Sequence, residues 1–175
     1  MDDTLIIVWS DHGYFLGEKG LWYKRKNFER SLRVPLIIAG SGISAQTQAC
    51  SKIVELVDLY PTIVDHAGYE VPPVLEGESL VPLLNDPLAD WDKPAISQVI
   101  HSRGEAYGFS LRTDRWRYTE WKRGEAGREL YDHANDPDEV TNLAGYPEHA
   151  ALVKRLSKQL KPFVDTMSNA SALAN

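Results

Sequence analysis

The spacing of hydrophobic positions changes along the chain. Near the start, Thr4-Leu5-Ile6-Ile7-Val8-Trp9 is a continuous apolar run rich in β-branched residues, and Arg33-Val34-Pro35-Leu36-Ile37-Ile38-Ala39-Gly40 is a second. Such runs predict strands buried on both faces, as in a parallel sheet. The first stops at Ser10-Asp11-His12-Gly13 and the second at Gly40-Ser41-Gly42, while Pro35 suits only the beginning of a strand. Between Val54 and Gly68 the pattern predicts a helix, with Asp58 as N-cap, Pro61 in the first turn, Gly68 at the close, and Leu59, Ile63 and Ala67 as a core-facing stripe.

Beyond Val71-Pro72-Pro73 the chain loosens, with a short helical turn expected over Glu78 to Leu84 and a connector from Asn85 to Pro94. The segments Ala95 to His101, Gly108 to Thr113, Trp116 to Trp121 and Glu129 to Asp132 then read as an antiparallel meander split by turn residues. Leu152, Leu156, Leu160 and Val164 repeat every four residues and predict a final amphipathic helix over Glu148 to Val164 that packs one face on that sheet. The small, polar Ser168 to Asn175 is expected to fray. The fold class implied is α/β: part of a sandwich, then a small C-terminal antiparallel sheet packed by a helix. Two doubly covered strands do not make a complete doubly wound sheet, so this strand inventory is expected to be part of a larger one.

Composition narrows the function classes. The hydrophobic fraction of 43% and charged fraction of 25% are those of a globular protein rather than a disordered one. A formal charge of −6, with the basic residues dispersed, argues against a nucleic-acid stripe or a polybasic membrane patch. No apolar run approaches the roughly 20 residues of a membrane-spanning helix. The single cysteine, Cys50, excludes an intrachain disulfide and reads as a small, half-buried residue with no histidine beside it.

The candidate chemistry lies past the first strand. Asp11 and His12 follow its C-terminal end, the edge at which open α/β sheets bind ligands. They supply a hard oxygen and a nitrogen suited to a metal ion, or else a turn with a solvated histidine. Lys24 follows Gly17-Glu18-Lys19-Gly20-Leu21-Trp22-Tyr23 and reads either as a surface lysine or as a point charge for an anionic substrate. His101, with Ser102 and Arg103, either lines a substrate entrance or forms a plain turn. His66 reads as a surface or cap residue, and Tyr107, Trp116, Tyr118 and Trp121 as core or sheet-face residues rather than a sugar platform. Asp136-Pro137-Asp138 predicts a turn, and Asn169-Ala170-Ser171 matches a glycosylation acceptor.

The stretch Ser10-Asp11-His12-Gly13-Tyr14-Phe15-Leu16-Gly17-Glu18-Lys19-Gly20-Leu21-Trp22-Tyr23-Lys24 resembles the metal-and-sulfate loop of type I sulfatases, members of the alkaline phosphatase superfamily. The subgroup containing iduronate 2-sulfatase also has His after the Asp. The resemblance continues through Glu29 with Arg33 to Ile37, then Leu56 to Ile63, Leu75 to Leu84, Glu129-Leu130-Tyr131-Asp132, Asn135 to Glu139 and Asn142-Leu143-Ala144.

The resemblance implies an alkaline-phosphatase-like sandwich, with residues 1–92 as the C-terminal part of a catalytic α/β domain, 93–167 as the sheet-and-helix subdomain and 168–175 as a flexible tail. It also implies that Asp11 and His12 help hold one divalent cation, usually Ca2+, and that Lys24 touches a sulfate oxygen and steadies the leaving group. His101 is the further candidate for substrate contact. The substrate would be a sulfate monoester, best a sulfated sugar, with choline or aryl sulfates as other members of the class. The family's nucleophile is a formylglycine made within Cys-x-Pro/Ala-x-Arg; Cys50 is followed by Ser51, Lys52, Ile53 and Val54, so this chain holds no such motif. The formylglycine and a further pair of metal-binding Asp residues are expected in a missing N-terminal part of the catalytic domain, leaving this chain inactive alone. A phosphonate or phosphate ester hydrolase of the same superfamily, and a non-catalytic binding module derived from the sulfatase C-terminal region, are the alternatives.

Overall fold

The computed structural model of the chain describes residues 3–101 and 106–173. The elements fall into two compact units, one comprising Met1–Asp11 and Val34–Lys93, the other His12–Arg33 and Pro94–Asn175.

In the first unit the two apolar runs form β1 (Leu5–Trp9) and β4 (Leu36–Gly40). They pair antiparallel, Leu5 opposite Gly40 and Trp9 opposite Leu36, rather than in the expected parallel arrangement. An apolar run reports burial but carries no information on the direction of its partner strand. Nor are both faces covered. Leu36 and Ile38 pack on Leu80, Leu83 and Trp91, whereas Ile6, Val8, Ile37 and Ala39, which share the other face, are exposed.

A short 3-10 turn over Leu56–Asp58 leads into α2 (Leu59–His66), and Val81–Asn85 forms α3. Asp58 stands at the start of α2 as expected, but its fully buried carboxylate reaches back and across instead of capping forward. It accepts from the Glu55 and Glu78 amides at 2.8 and 2.9 Å and from Lys93 Nζ at 2.7 Å. The buried face of α2 is Leu59, Pro61 and Thr62, not Leu59, Ile63 and Ala67; Ile63 and Ala67 are exposed. Thr62 can face inward because its hydroxyl is satisfied, donating to the Asp58 carbonyl at 2.5 Å and accepting from the Leu80 amide at 2.8 Å. Gly68 closes the helix at φ 79, a conformation only glycine adopts freely. Cys50 is exposed rather than half-buried, its thiol 3.5 Å from the Pro87 carbonyl.

The second unit is built on a four-stranded antiparallel meander, β5 (Ala95–His101), β6 (Ala106–Arg112), β7 (Trp116–Trp121) and β8 (Arg128–Asp132), in that spatial order. Strand alternation separates two faces. Phe109, Leu111, Tyr118 and Leu130 point one way and form a closed core with Leu156, Leu160 and Val164 of α4 (Ala150–Leu173). This is the stripe predicted by the four-residue repeat, on a helix that runs further than expected. Tyr118 is fully buried and Tyr107 and Trp116 pack against the same core, as core aromatics do.

The opposite face carries Ser110, Arg117 and Thr119, and residues 12–33 of the same unit lie on it. Asn27 is buried there, donating to the Gly108 carbonyl at 3.0 Å and accepting from the Ser97 hydroxyl at 3.2 Å. This covering segment contains a small hairpin, β2 (Phe15–Leu16) with β3 (Trp22–Tyr23), and the single turn α1 (Glu29–Leu32). No described helix is long and apolar enough to cross a membrane.

Candidate functional site

The segment carrying His12 and Lys24 is fixed at several points, each traceable to a residue type. Gly13 donates its amide to the Ser31 carbonyl at 2.9 Å. A Cβ at Gly13 would lie 2.0 Å from the Arg30 carbonyl oxygen, so only glycine allows the loop to approach α1 this closely. Gly17, at φ 122, turns the chain after β2, and its amide bonds the Leu21 carbonyl at 3.0 Å to close the hairpin. Lys19 reaches the Glu139 carbonyl and lies 5.0 Å from the Phe28 ring centroid and 5.7 Å from that of Tyr131, within cation–π range of both.

Tyr23 and Arg25 flank Lys24 with φ of 70° and 65°. A left-handed conformation at a residue other than glycine costs roughly 1–3 kcal/mol and persists where the surroundings over-determine it. The hairpin and the Lys19 anchor are those surroundings. Their consequence is a defined direction for Lys24, whose Nζ donates to His12 Nε2 at 2.6 Å.

That contact also assigns the imidazole. An ammonium has donors only, so Nε2 accepts and the ring proton sits on Nδ1. His12 Nδ1 is 2.8 Å from the Gly13 carbonyl, the acceptor such a proton requires. A histidine held by its Nδ1–H to a backbone carbonyl, with the Nε2 lone pair outward, has the arrangement of a metal ligand. Asp11 precedes it at a bend directly after β1, with an exposed side chain. The structure thus brings Lys24 to His12 across the hairpin. The His101 side chain, with Ser102 and Arg103, lies outside the described residues, as do the side chains of Asn169 and Ser171.

One constellation of this unit was not foreseen from the sequence. Arg117 on β7 is almost fully buried, and its guanidinium bridges two carboxylates, Glu139 Oε1 at 2.5 Å and Glu29 Oε2 at 2.5 Å. Glu139 Oε2 accepts the Glu29 amide at 2.8 Å, His133 Nε2 lies 3.0 Å from Glu139 Oε1, and Arg112 Nε is 3.3 Å from Glu29. Burial pushes the Glu29 carboxyl up, but the Arg117 and Arg112 guanidiniums outweigh it and hold the group below the usual carboxylate range. Among the described residues, Glu29, His133 and Glu139 offer ligand atoms within 4.8 Å of one another and could coordinate a divalent cation. Arg117 already supplies positive charge to both carboxylates, so the cluster is balanced without a metal. The signal that could have exposed it is Arg117 itself, a charge within the otherwise regular Trp116-Arg117-Tyr118-Thr119-Glu120-Trp121, together with two acids spaced around it in sequence.

The turn after β8 follows its sequence prediction. Asp136 accepts the Val140 and Thr141 amides at 3.0 and 2.8 Å, and Glu139 adopts φ 55. The turn therefore delivers Glu139 to both Arg117 and Lys19, joining the sheet to the candidate loop.

Comparison with known proteins places this geometry in a family. The family described as N-sulphoglucosamine sulphohydrolase, C-terminal, matches residues 17–165. Arylsulfatase K of Mus musculus is 35% identical over 173 residues, covering 94% of this chain and 31% of its own length. A solved structure in complex with its substrate D-glucosamine-2-N,6-O-disulfate superposes with a TM-score of 0.85 at 33% identity, covering 96% of this chain and 35% of that one. The phosphonate monoester hydrolase of Silicibacter pomeroyi superposes at 0.78 with 32% identity, covering 93% and 35%. The chain therefore spans about a third of the length of the proteins it matches. It belongs to the sulfatase family of hydrolases, on an alkaline-phosphatase-superfamily fold, and corresponds to the C-terminal region of its members.

Proposed function

We propose that this chain supplies one side of a sulfate-monoester hydrolase site, with the nucleophile contributed by an N-terminal catalytic region that carries formylglycine. The observation supporting this most directly is the 2.6 Å contact between Lys24 Nζ and the Nε2 lone pair of His12, held by a strained and anchored hairpin. In the assembled site Asp11 and His12 help hold one divalent cation, Ca2+ in this reading, through an oxygen and a nitrogen. His12 fits that role because its proton is committed to Gly13. Ca2+ takes six to eight ligands, mostly oxygen, so most of its shell comes from elsewhere. When bound, such a cation polarises a sulfate oxygen and stabilises negative charge. Lys24, released from His12, turns its ammonium to the substrate sulfate and meets the charge that develops on the leaving oxygen as the S–O bond breaks.

A sulfated sugar is the substrate class proposed, supported by the superposed structure whose substrate is a sulfated glucosamine. The histidine after Asp11 supports placement near the iduronate 2-sulfatase subgroup. His101 is retained as a substrate contact on the strength of its position at the end of β5. The second reading, a phosphonate or phosphate ester hydrolase, is supported by the similarity to the Silicibacter pomeroyi enzyme.

The test joins this chain to its N-terminal catalytic region and measures release of sulfate and of phosphonate from paired aryl esters. Sulfate ester cleavage should dominate. Lys24→Ala should lower kcat by about 10²–10³-fold, the cost of removing one charge-stabilising donor. Asp11→Asn and His12→Ala should each raise the Ca2+ concentration required. The chain alone should release no sulfate, and sulfate release by it that disappears in Lys24→Ala would falsify the shared-site reading. Dominant phosphonate cleavage would move the second reading to first place.

A further inference from the structure

Lys24 lies midway along an arc of the second unit, five residues from Lys19 and five from Glu29. Both ends of that arc are held by one residue of the turn after β8. We propose that Glu139 is the positioning residue for Lys24, gripping the arc at Lys19 through its main-chain carbonyl and at Glu29 through its carboxylate. The proposal rests on the reading of Lys24 as a sulfate contact and deepens it by naming what sets the direction of that lysine.

Three observations carry it. First, Glu139 is buried, and Oε1 of its carboxylate accepts from Arg117 on β7 and lies 3.0 Å from His133 Nε2. Its place is therefore set by the sheet and not by the arc. Second, the remaining carboxylate oxygen and the carbonyl both reach the arc. Oε2 accepts the Glu29 amide at 2.8 Å. That amide opens α1, and Phe28 before it has no side-chain oxygen with which to cap it. A first-turn amide without a cap needs an acceptor from elsewhere, and Glu139 supplies one. At the other end Lys19 donates to the Glu139 carbonyl, its ammonium over the Phe28 and Tyr131 rings. Third, α1 also fixes the histidine that Lys24 meets, because Ser31 accepts the Gly13 amide at 2.9 Å, one residue after His12.

The consequence for Lys24 is conformational. Tyr23 and Arg25 hold left-handed backbone on either side of it. Residues other than glycine relax from that region unless their surroundings keep them there. Pinning both ends of a short segment removes most of the conformations into which it could relax. With either pin released, the Lys24 ammonium sweeps a wider volume and spends less time where charge develops on the leaving oxygen. Stabilisation of that charge depends on a donor already in place, so a displacement of about 1 Å can cost about 10²-fold in rate. The loss falls on kcat, since the contact at stake strengthens only as the S–O bond breaks.

The test has two readouts: kcat and KM for an aryl sulfate in the chain joined to its nucleophile region, and the nitrogen NMR resonance of His12 Nε2 in the chain without added metal. Lys19→Met removes the carbonyl contact but keeps an unbranched side chain against Phe28 and Tyr131, and Lys19→Arg keeps a donor. Lys19→Met should lower kcat about ten- to a hundredfold with KM changed less than about twofold, and Lys19→Arg should stay within about threefold of the parent. In a Lys24→Ala background, Lys19→Met should cost less than about a further twofold, because both changes act through one group. The His12 Nε2 resonance should move in Lys19→Met toward its position in Lys24→Ala. Glu139→Gln keeps an oxygen for Arg117 but turns an NH2 toward the Glu29 amide, donor against donor, and should lower kcat at least as far; should it fail to fold, Lys19→Met decides. Unchanged kcat in Lys19→Met where Lys24→Ala lowers it, or losses that add in the double variant, overturns the clamp. If Lys24→Ala itself leaves kcat unchanged, the proposed function fails instead. The clamp then stands if Lys19→Met moves the His12 Nε2 resonance and falls if it does not.

Discussion

The two units treat their strands differently. In the first, β1 and β4 are apolar on both faces, yet one face stays open: Val8 is 52% and Ile37 58% exposed. In the second, both faces of the meander are covered, one by α4 and the other by residues 12–33, and Leu111, Tyr118, Leu130 and Leu160 are fully excluded from water. The polar face of the second sheet is closed by charge pairing around Arg117, not by apolar packing. The difference teaches that a sheet can be completed from within its own segment when alternation assigns each face a partner. A strand apolar on both faces instead signals a need for more sheet or more helix than the pair itself provides.

Several experiments can break or sharpen this contrast. The largest effect is expected from Arg117→Met, which strands the buried Glu139 carboxylate and leaves the half-buried Glu29 with Arg112 alone, and should destabilise the second unit by about 3–5 kcal/mol in urea unfolding. A loss below about 1 kcal/mol would show that solvent reaches the cluster and that this face is not closed. Leu160→Ala should cost about 2–5 kcal/mol as a cavity in a closed core. The matched truncation Ile37→Ala on the open face should stay within about 0.5–1 kcal/mol, as for an exposed site. Similar costs for the two would erase the distinction.

Acid should act next. The Asp132 carboxyl is held well below the usual range by paired hydrogen bonds from Arg115, with the Asn135 side chain and Ala134 amide adding to them against the effect of burial. Glu29 is held low as well, by the arginines that outweigh its burial. Folded-state depression means that the unfolded chain binds more protons, so these groups stabilise above their unfolded pKa values of about 4 and lose that contribution as pH falls below it. Urea midpoints should be flat from neutrality to about pH 5 and decline below about pH 4.5. A midpoint rising on acidification through that window would contradict the assignment. The smallest effect on stability, and the most specific for the open face, is expected from Val8→Thr with Ile37→Thr. Folding should change by less than about 1 kcal/mol while self-association and hydrophobic-dye binding fall. Unchanged association would mean that the exposed row is not the adhesive surface.

Much of the fold was legible. The meander, its four segments and the Leu156, Leu160 and Val164 stripe followed from periods of two and of about four residues, because each element meets its neighbour in sequence and alternation alone decides its faces. The loop from Ser10 to Lys24 was legible through its family resemblance. Less so was α2, where Thr62 faces inward in place of Ile63. A hydropathy pattern places threonine outside, and only the coincidence of the Asp58 carbonyl and the Leu80 amide gives that hydroxyl both its partners. The antiparallel pairing of β1 and β4 was hidden for a related reason, since apolar content is the same in either direction.

By itself, the sequence determined most of the local elements outside residues 12–33, the family, and the presence of Asp11, His12 and Lys24 in one short loop, because these depend on residue type and near-neighbour spacing. Tertiary structure alone decided which residues separated in the chain meet. Glu29, Arg117, His133 and Glu139 converge only when residues 12–33 lie on the meander, and Lys19 finds the Glu139 carbonyl only through the turn after β8. The Lys24-to-His12 contact likewise depends on left-handed backbone at Tyr23 and Arg25. No local propensity selects that conformation. Long-range contacts impose it, and they become available only after the chain has closed on itself.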